Sequence, residues 1–210
     1  MSSRTLFLDL ASGKQCIALI EGEKTAALEP VNGKSEASLV PVIEKLVGDL
    51  KTIDRIAAVT GPGGFMSLRV GISLANALSD GLGVPLAGVH LSDVWRARSE
   101  TRDVRHEAVS QDFLWVHSTK KEFLFVRGFG SLEKEWPEPT FLSIEAFRSK
   151  LTSQSSHLEY VGELIESQQA ALPLLRPLTD IRPLESVLPT ITGALVYEQK
   201  PLMPWYGRGA

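Results

Sequence analysis

Cysteine is almost missing from this sequence: Cys16 is the only one in 210 residues. A single thiol excludes an internal disulfide framework and any zinc site built on several thiolates, and it fits a reducing compartment. Histidine is scarce too, and His90, His106, His117 and His157 lie far apart in the chain. None forms a His-x-x-x-His pair, the spacing that puts two imidazoles on one helical face for a metal. Long apolar runs are lacking. The longest stretch free of Asp, Glu, Lys, Arg and His is Ile56–Leu68, only 13 residues, against the roughly 20 that a spanning helix needs. Residues Met1–Thr5 pass straight into a strand-like run, without the apolar segment and small-residue cleavage site of a secretory signal. The expectation is a cytoplasmic chain without membrane contact. Charge of one sign is not in excess: 22 basic against 25 acidic side chains leave a net charge of −3. With its Lys and Arg scattered, the chain has no basic stripe for binding nucleic acid on its own.

What is present is enough to build a core. Hydrophobic residues make up 43% and charged residues 22%, close to the averages for soluble globular proteins. At roughly 100 to 200 residues per domain, the length allows one large domain or two small ones. Thr5–Leu10 and Gln15–Glu21 read as strands around a tight turn at Ala11–Lys14, and Thr25–Glu29 as a third strand. From Ser38 to Leu50 the period becomes helical, with Leu39, Ile43, Leu46 and Leu50 in one stripe, Val40 and Val47 beside it, and Pro41 in the tolerated first turn. Arg55–Thr60 reads as a buried strand, Met66–Leu82 as a second helix and Val84–Val89 as another strand; Ser92 is a candidate cap for a helix through Arg98. The second half repeats this order. Strands are expected at Phe113–His117, Glu122–Arg127, around Thr140 and at His157–Val161, with helices at Ile144–Leu151, Glu163–Leu172 and Pro183–Tyr197. Two successive βββαβα units imply an α/β protein of two ribonuclease-H-like lobes, 1–100 and 101–198, with a tail at 199–210. The charged run Arg98–Glu107 reads as a solvated connection or a helix end.

Gly61-Pro62-Gly63-Gly64-Phe65 falls between a strand and a helix, where free backbone N–H groups can hold phosphate oxygens. It is not a P-loop, because no lysine lies between Lys51 and Lys120, and not a dinucleotide fingerprint, because Met66 stands at the third glycine position. A sharp structural turn is the plainer reading. In the helix that follows, Leu68, Val70, Ile72, Leu74, Ala75, Ala77 and Leu78 go all the way round and only Arg69 and Asp80 are charged. Such a helix is expected to be buried on both sides. Its small residues Gly71, Ser73, Ala75 and Ala77 admit a close neighbour, either the helix at 38–50 or a partner. Asp9, at the end of the first strand, stands where ribonuclease-H-like enzymes place a catalytic or metal-positioning carboxylate, but one carboxylate does not make a metal site. Hydrogen bonding to its own turn is the favoured role. No Gly-x-Ser-x-Gly elbow is present, and Cys16 in an apolar strand reads as a core residue.

Four stretches resemble the TsaB (YeaZ) family, the dimerisation subunits of the bacterial tRNA threonylcarbamoyladenosine complex. They are Leu6-Phe-Leu-Asp9 with Cys16-Ile-Ala-Leu19; Leu39-Val-Pro-Val-Ile43; Gly61-Pro-Gly-Gly-Phe-Met-Ser-Leu-Arg69-Val-Gly71-Ile with Val84-Pro85-Leu-Ala-Gly88-Val; and Pro204-Trp-Tyr206-Gly-Arg208. The third is the most specific, close to a family Gly-Pro-Gly-Ser-Phe-Thr-Gly-Val-Arg-Ile-Gly-Ile. Gly64, Met66 and Ser67 depart from it. The second half departs further, with His117-Ser-Thr-Lys-Lys-Glu122 where the family carries an Asp-Ala-Arg stretch.

The resemblance implies an actin-like (ASKHA) two-lobed pseudoenzyme that has lost its own active site, its second lobe small and divergent. It implies a TsaD-like catalytic partner, which the chain would stabilise as a heterodimer, a TsaE-like ATPase in the assembly, and tRNA met only through the complex. Homodimerisation is the alternative for the chain alone. No cofactor is implied for this chain by itself; ATP or ADP would belong to the complex interface. Carried over by position, Leu39, Ile43, Leu46, Leu68, Ile72 and Ala75 are the interface candidates. Gly61, Pro62, Gly63, Gly64, Phe65, Arg69 and Gly71 form the family's Gly-rich loop and helix start. Two other readings stay open: an actin-like-fold metallopeptidase, which needs a metal set not found in the sequence, and a small-molecule kinase, which needs ATP binding by the isolated chain.

Overall fold

The computed structural model describes residues 2–31, 39–99, 112–151 and 157–207. Strands β1 (Arg4–Asp9), β2 (Cys16–Glu21) and β3 (Lys24–Pro30) form an antiparallel meander, in register from Arg4 opposite Glu21 to Asp9 opposite Cys16. Helix α1 (Leu39–Val47) leads to β4 (Arg55–Gly61), which runs parallel to β1 with Thr5 opposite Arg55 and Leu8 opposite Ala58. Helix α2 (Phe65–Leu82) leads to β5 (Leu86–His90), parallel to β4. The sheet order is β3-β2-β1-β4-β5. Thr5 to Asp9 and Ile56 to Val59 are buried at every position. Successive strand side chains point to opposite sides, so this sheet is covered on both faces.

After α3 (Leu91–Ser99), a second sheet repeats the plan. Strands β6 (Phe113–Lys120), β7 (Phe123–Phe129) and β8 (Thr140–Ser143) are antiparallel neighbours. Helix α4 (Ile144–Leu151) precedes β9 (Leu158–Glu163), parallel to β6, and α5 (Glu166–Ala171) precedes β10 (Leu175–Pro177), parallel to β9. The order β10-β9-β6-β7-β8 is the first sheet's order met from the other end. Each lobe thus has the ribonuclease-H-like topology of an antiparallel meander extended by two parallel strands. The core of the second packs Leu114, Val116, Leu124 and Val126 against Trp136, Phe147 and Tyr160.

The lobes are not divided at 100/101. The compact units are Met1–Leu91 with Pro183–Tyr206, and Ser92–Arg182. Helix α6 (Leu184–Ala194), expected in the second lobe, belongs to the first, where it packs on β3 and β2 and buries Val187, Leu188, Ile191 and Thr192. The half-buried edge strand β3 needs that cover, and the chain returns to supply it. Residues 195–206 belong to the first lobe too, whereas Gly207 goes with the second.

Local departures have local causes. Ser92 lies inside α3, which starts at Leu91, and is buried with its hydroxyl oxygen accepting from Arg127 Nη1 at 2.9 Å. Glu163 ends β9 and α5 starts only at Glu166. Helix α6 stops at Ala194, where Leu195 turns extended. The three-residue β10 carries too little pattern to be read beforehand. Of the charged run 98–107, residues 100–107 lie outside the described residues, as does His106.

Candidate functional site

The end of β1 meets the Gly-rich loop. Asp9 is buried, and its Oδ1 accepts hydrogen bonds from the backbone N–H of Ala11 and of Ser12, both at 3.0 Å. The Ser12 hydroxyl oxygen in turn accepts from Lys14 N–H at 3.3 Å. Burial pushes the Asp9 carboxyl above its ordinary range, and the donors at Ser12 and Ala11 pull it partly back. Gly63 lies so close to this turn that a Cβ on it would stand 2.5 Å from the Ala11 carbonyl oxygen. The glycine there serves close approach of two backbones.

The other side of the loop is occupied by the last described residues of the first lobe. Glu198 pairs with Leu86 on the free edge of β5 through two backbone hydrogen bonds, 2.9 and 3.0 Å. Four residues on, Asn76 of α2 grips the backbone of Leu202: its Nδ2 donates to the carbonyl oxygen at 3.0 Å and its Oδ1 accepts from the N–H at 2.8 Å. Trp205 donates its N–H to Thr60 O at 2.7 Å and sets its ring edge-on to His90, with centroids 4.6 Å apart. Gly61 has φ +132, and a Cβ there would stand 2.4 Å from Trp205 O. Tyr206 then lies on Phe65, with ring centroids 5.4 Å apart. Residues 195–206 are therefore a strap over one edge of the sheet and the start of α2.

Helix α2 presents two faces. Leu68, Gly71, Ile72, Ala75 and Ser79 are buried where the helix packs on β4, β1 and β5; Phe65, Met66, Arg69, Ser73, Ala77 and Asp80 are exposed. The helix is buried on one side only. Its N-cap Gly64 offers no side chain to the first turn, and its C-cap Gly83 takes the left-handed conformation at φ +68. Leu39 and Ile43 of α1 also point inward, and Leu46 is half-buried. Five of the six interface candidates, Leu39, Ile43, Leu68, Ile72 and Ala75, thus belong to the chain's own core. Helical period marks an apolar stripe, and in this lobe the stripe faces the sheet.

The candidate loop residues do come together. Gly61 and Pro62 are buried, Gly64 and Phe65 are exposed, and Arg69 lies 5.2 Å above the Phe65 ring. Gly71 stands against Leu10, where a Cβ would meet the Leu10 side chain at 3.1 Å. Arg208 lies outside the described residues. Sequence reasoning missed Asn76, although its signal was there: it is the one amide side chain in a helix whose only charged residues are Arg69 and Asp80. The described histidines do not converge. His90 is on β5, His117 is buried on β6 with Nδ1 3.4 Å from Glu163 Oε2, and His157 precedes β9. Among the described residues no group of three or more His, Cys, Asp or Glu could hold a metal ion, and no helix is long and apolar enough to cross a membrane.

A doubled ribonuclease-H-like protein with a docked C-terminal strap is the class that this geometry defines. Comparison with known proteins gives the likeness a name. Residues 31–101 match the family model of TsaD, tRNA N6-adenosine threonylcarbamoyltransferase. A tRNA N6-adenosine threonylcarbamoyltransferase of Salinibacter ruber is 45% identical over 56 residues, covering 25% of this chain and 17% of that relative's length. In structure, the chain is similar to an uncharacterized Pseudomonas aeruginosa protein described as similar to peptidase YEAZ, with TM-score 0.68, 16% identity and coverage of 98% of this chain and 100% of that one. It is also similar to YeaZ from Pseudomonas aeruginosa, with TM-score 0.66, 16% identity and coverage of 97% and 99%. The chain therefore resembles YeaZ in fold over its whole length, and TsaD in sequence over the segment that holds α1, β4, α2 and β5.

Proposed function

We propose that this chain is the non-catalytic dimerisation subunit of a tRNA threonylcarbamoyladenosine complex, pairing with a TsaD-like catalytic subunit and stabilising it. The observation that carries the reading is the place of the TsaD likeness. It falls on residues 31–101, in a chain with the YeaZ fold throughout, and includes α2, whose Phe65, Met66, Arg69, Ser73 and Ala77 face outward. Two homologous lobes that meet through such a helix would bury small side chains at close backbone approach. Asp9 is buried and its Oδ1 is engaged by its own turn, which favours a structural role for this carboxylate.

In this reading the threonylcarbamoyl group is transferred by the partner to the adenosine beside the anticodon. The chain holds no cofactor of its own, ATP or ADP enters at the complex interface, a TsaE-like ATPase joins in the cytoplasm, and tRNA is met through the assembly. A copy without its partner would cover the α2 face by pairing with a second copy. The test is mass spectrometry of nucleosides from total tRNA after depletion of the chain in its host. Loss of threonylcarbamoyladenosine, restored by the wild-type chain, is the expected result. Unchanged modification would overturn the reading.

A further inference from the structure

The strap does more than cover an edge, because it delivers an aromatic ring to the exposed end of α2. Phe65 is 56% and Met66 63% exposed, Tyr206 is 38% exposed, and Phe65 and Tyr206 touch. Arg69 lies over the Phe65 ring and makes no ion pair or hydrogen bond among the described residues. With its Cζ 5.2 Å from the ring centroid, the guanidinium keeps N–H donors for a further partner, and they match a carboxylate in a two-bond fork. Phe, Tyr, Met and Arg are also the side chains enriched where proteins bury a partner.

We propose that Phe65, Met66, Arg69 and Tyr206 form a recognition site for a protein segment that presents a carboxylate beside an apolar side chain, and that this site is complete only while the strap is docked. The inference rests on the reading of the exposed α2 face as a partner surface and extends that surface to the strap. Of these four side chains only Arg69 is charged, which suits one carboxylate on a protein segment better than a nucleic acid, whose affinity grows with the number of phosphates neutralised. The strap matters because Tyr206 does not position itself. Trp205 N–H on Thr60 O and the two bonds between Asn76 and Leu202 hold the backbone that carries it. Asn76 thus acts as a positioning residue for a surface it does not enter.

The test measures binding of the full chain to a TsaD-type catalytic subunit by calorimetry, with hydrogen exchange of the strap amides and thermal unfolding recorded for each variant. Tyr206→Ala and Arg69→Glu should each weaken binding about tenfold or more with thermal unfolding unchanged. Asn76→Ala should weaken binding in the same direction and speed exchange at Leu202 and Trp205, a readout that a surface change would not move. Should Asn76→Ala fail to fold, Tyr206→Ala carries the test. Ala77→Glu, at an exposed α2 position eight residues beyond Arg69 and so out of reach of an i,i+4 pair with it, probes the partner surface apart from the proposed cation. Loss of binding by Ala77→Glu with wild-type binding by Tyr206→Ala and Arg69→Glu would overturn the strap site and leave the partner reading standing. Absence of binding by the wild-type chain would overturn both. If the variants bind the subunit normally and lose self-association, or binding to a single-stranded RNA oligonucleotide, the proposed occupant is wrong.

Discussion

Asp9 divides one carboxylate oxygen between two amides: Oδ1 accepts from Ala11 N–H and Ser12 N–H at 3.0 Å each, inside the buried end of β1. Its native-state pKa is raised above 3.8, first by burial. A raised native value means a stabilising contribution fully present below the unfolded pKa and lost as pH rises through the native one. Asp9→Asn keeps the acceptor and removes the charge. It should therefore match or exceed wild-type stability around pH 8, with the advantage fading as pH falls toward 4. Asp9→Ala leaves two buried N–H groups without acceptors and should cost about 1–3 kcal/mol at any pH. Denaturant unfolding at both ends of this range checks the pair; equal damage from Asn and Ala would show that the charge itself is what the turn needs.

The Gly-rich loop should tolerate side chains very unevenly. A Cβ on Gly63 would meet the Ala11 carbonyl oxygen at 2.5 Å, and one on Gly61 would meet Trp205 O at 2.4 Å at a φ of +132. Both obstacles are backbone, so Gly61→Ala and Gly63→Ala should each destabilise by about 1–3 kcal/mol or more. Gly64 has φ −57 at the helix N-cap, and its nearest neighbour to a Cβ is Ser67 Oγ at 3.6 Å. Gly64→Ser should then stabilise by a few tenths of a kcal/mol through a side-chain cap. Thermal unfolding of the three variants tests the order.

Ile72 and Ser73 are adjacent on α2 and separate folding from association. Ile72 is buried at 3% exposure, so Ile72→Asp would place an unpaired charge in the core and cost about 3–5 kcal/mol. Ser73 is exposed, and Ser73→Glu should leave thermal unfolding nearly unchanged while weakening association. Circular dichroism melts beside light scattering report the two effects independently. A well-folded Ile72→Asp chain would mean that α2 is oriented otherwise.

In the second lobe, Gln168 is fully buried and its Nε2 donates to the carbonyl oxygens of Lys120 at 2.9 Å and Phe123 at 3.0 Å, with Lys121 O at 3.2 Å. Gln168→Leu should strand these acceptors at the β6–β7 turn and cost about 1–3 kcal/mol. Hydrogen exchange should rise in residues 118–125 while the first lobe keeps its protection. Unchanged exchange would show that the turn holds without the amide.

Much of the fold was legible because its signals are short-range. Short apolar runs around a tight turn marked β1 and β2, a four-residue stripe marked α1, and glycines bracketed α2 at Gly64 and Gly83. The order of elements carried the duplication, which the two sheet orders show. The Asp9 turn was legible too, since an acid before Ala-Ser-Gly can reach its own backbone. The interface candidates were not. Leu68, Ile72 and Ala75 announced an apolar face, but period alone does not say whether such a face meets its own sheet or another molecule. The small β10 and the early end of α6 escaped because three residues, or one turn of helix, carry little pattern.

By itself the sequence determined the two-lobed plan, most of its strand and helix order, and the Gly-rich turn at the head of α2, since propensity, apolar runs and turn residues act between residues a few positions apart. Only the tertiary structure decided that α6 returns to the first lobe, that Ile72 faces in and Ser73 out, and that Tyr206 lies on Phe65. Those outcomes depend on partners such as Asn76 and Leu202, 126 positions apart. Their pairing is set by which surfaces the folded sheet leaves uncovered, a quantity no local window of the chain contains.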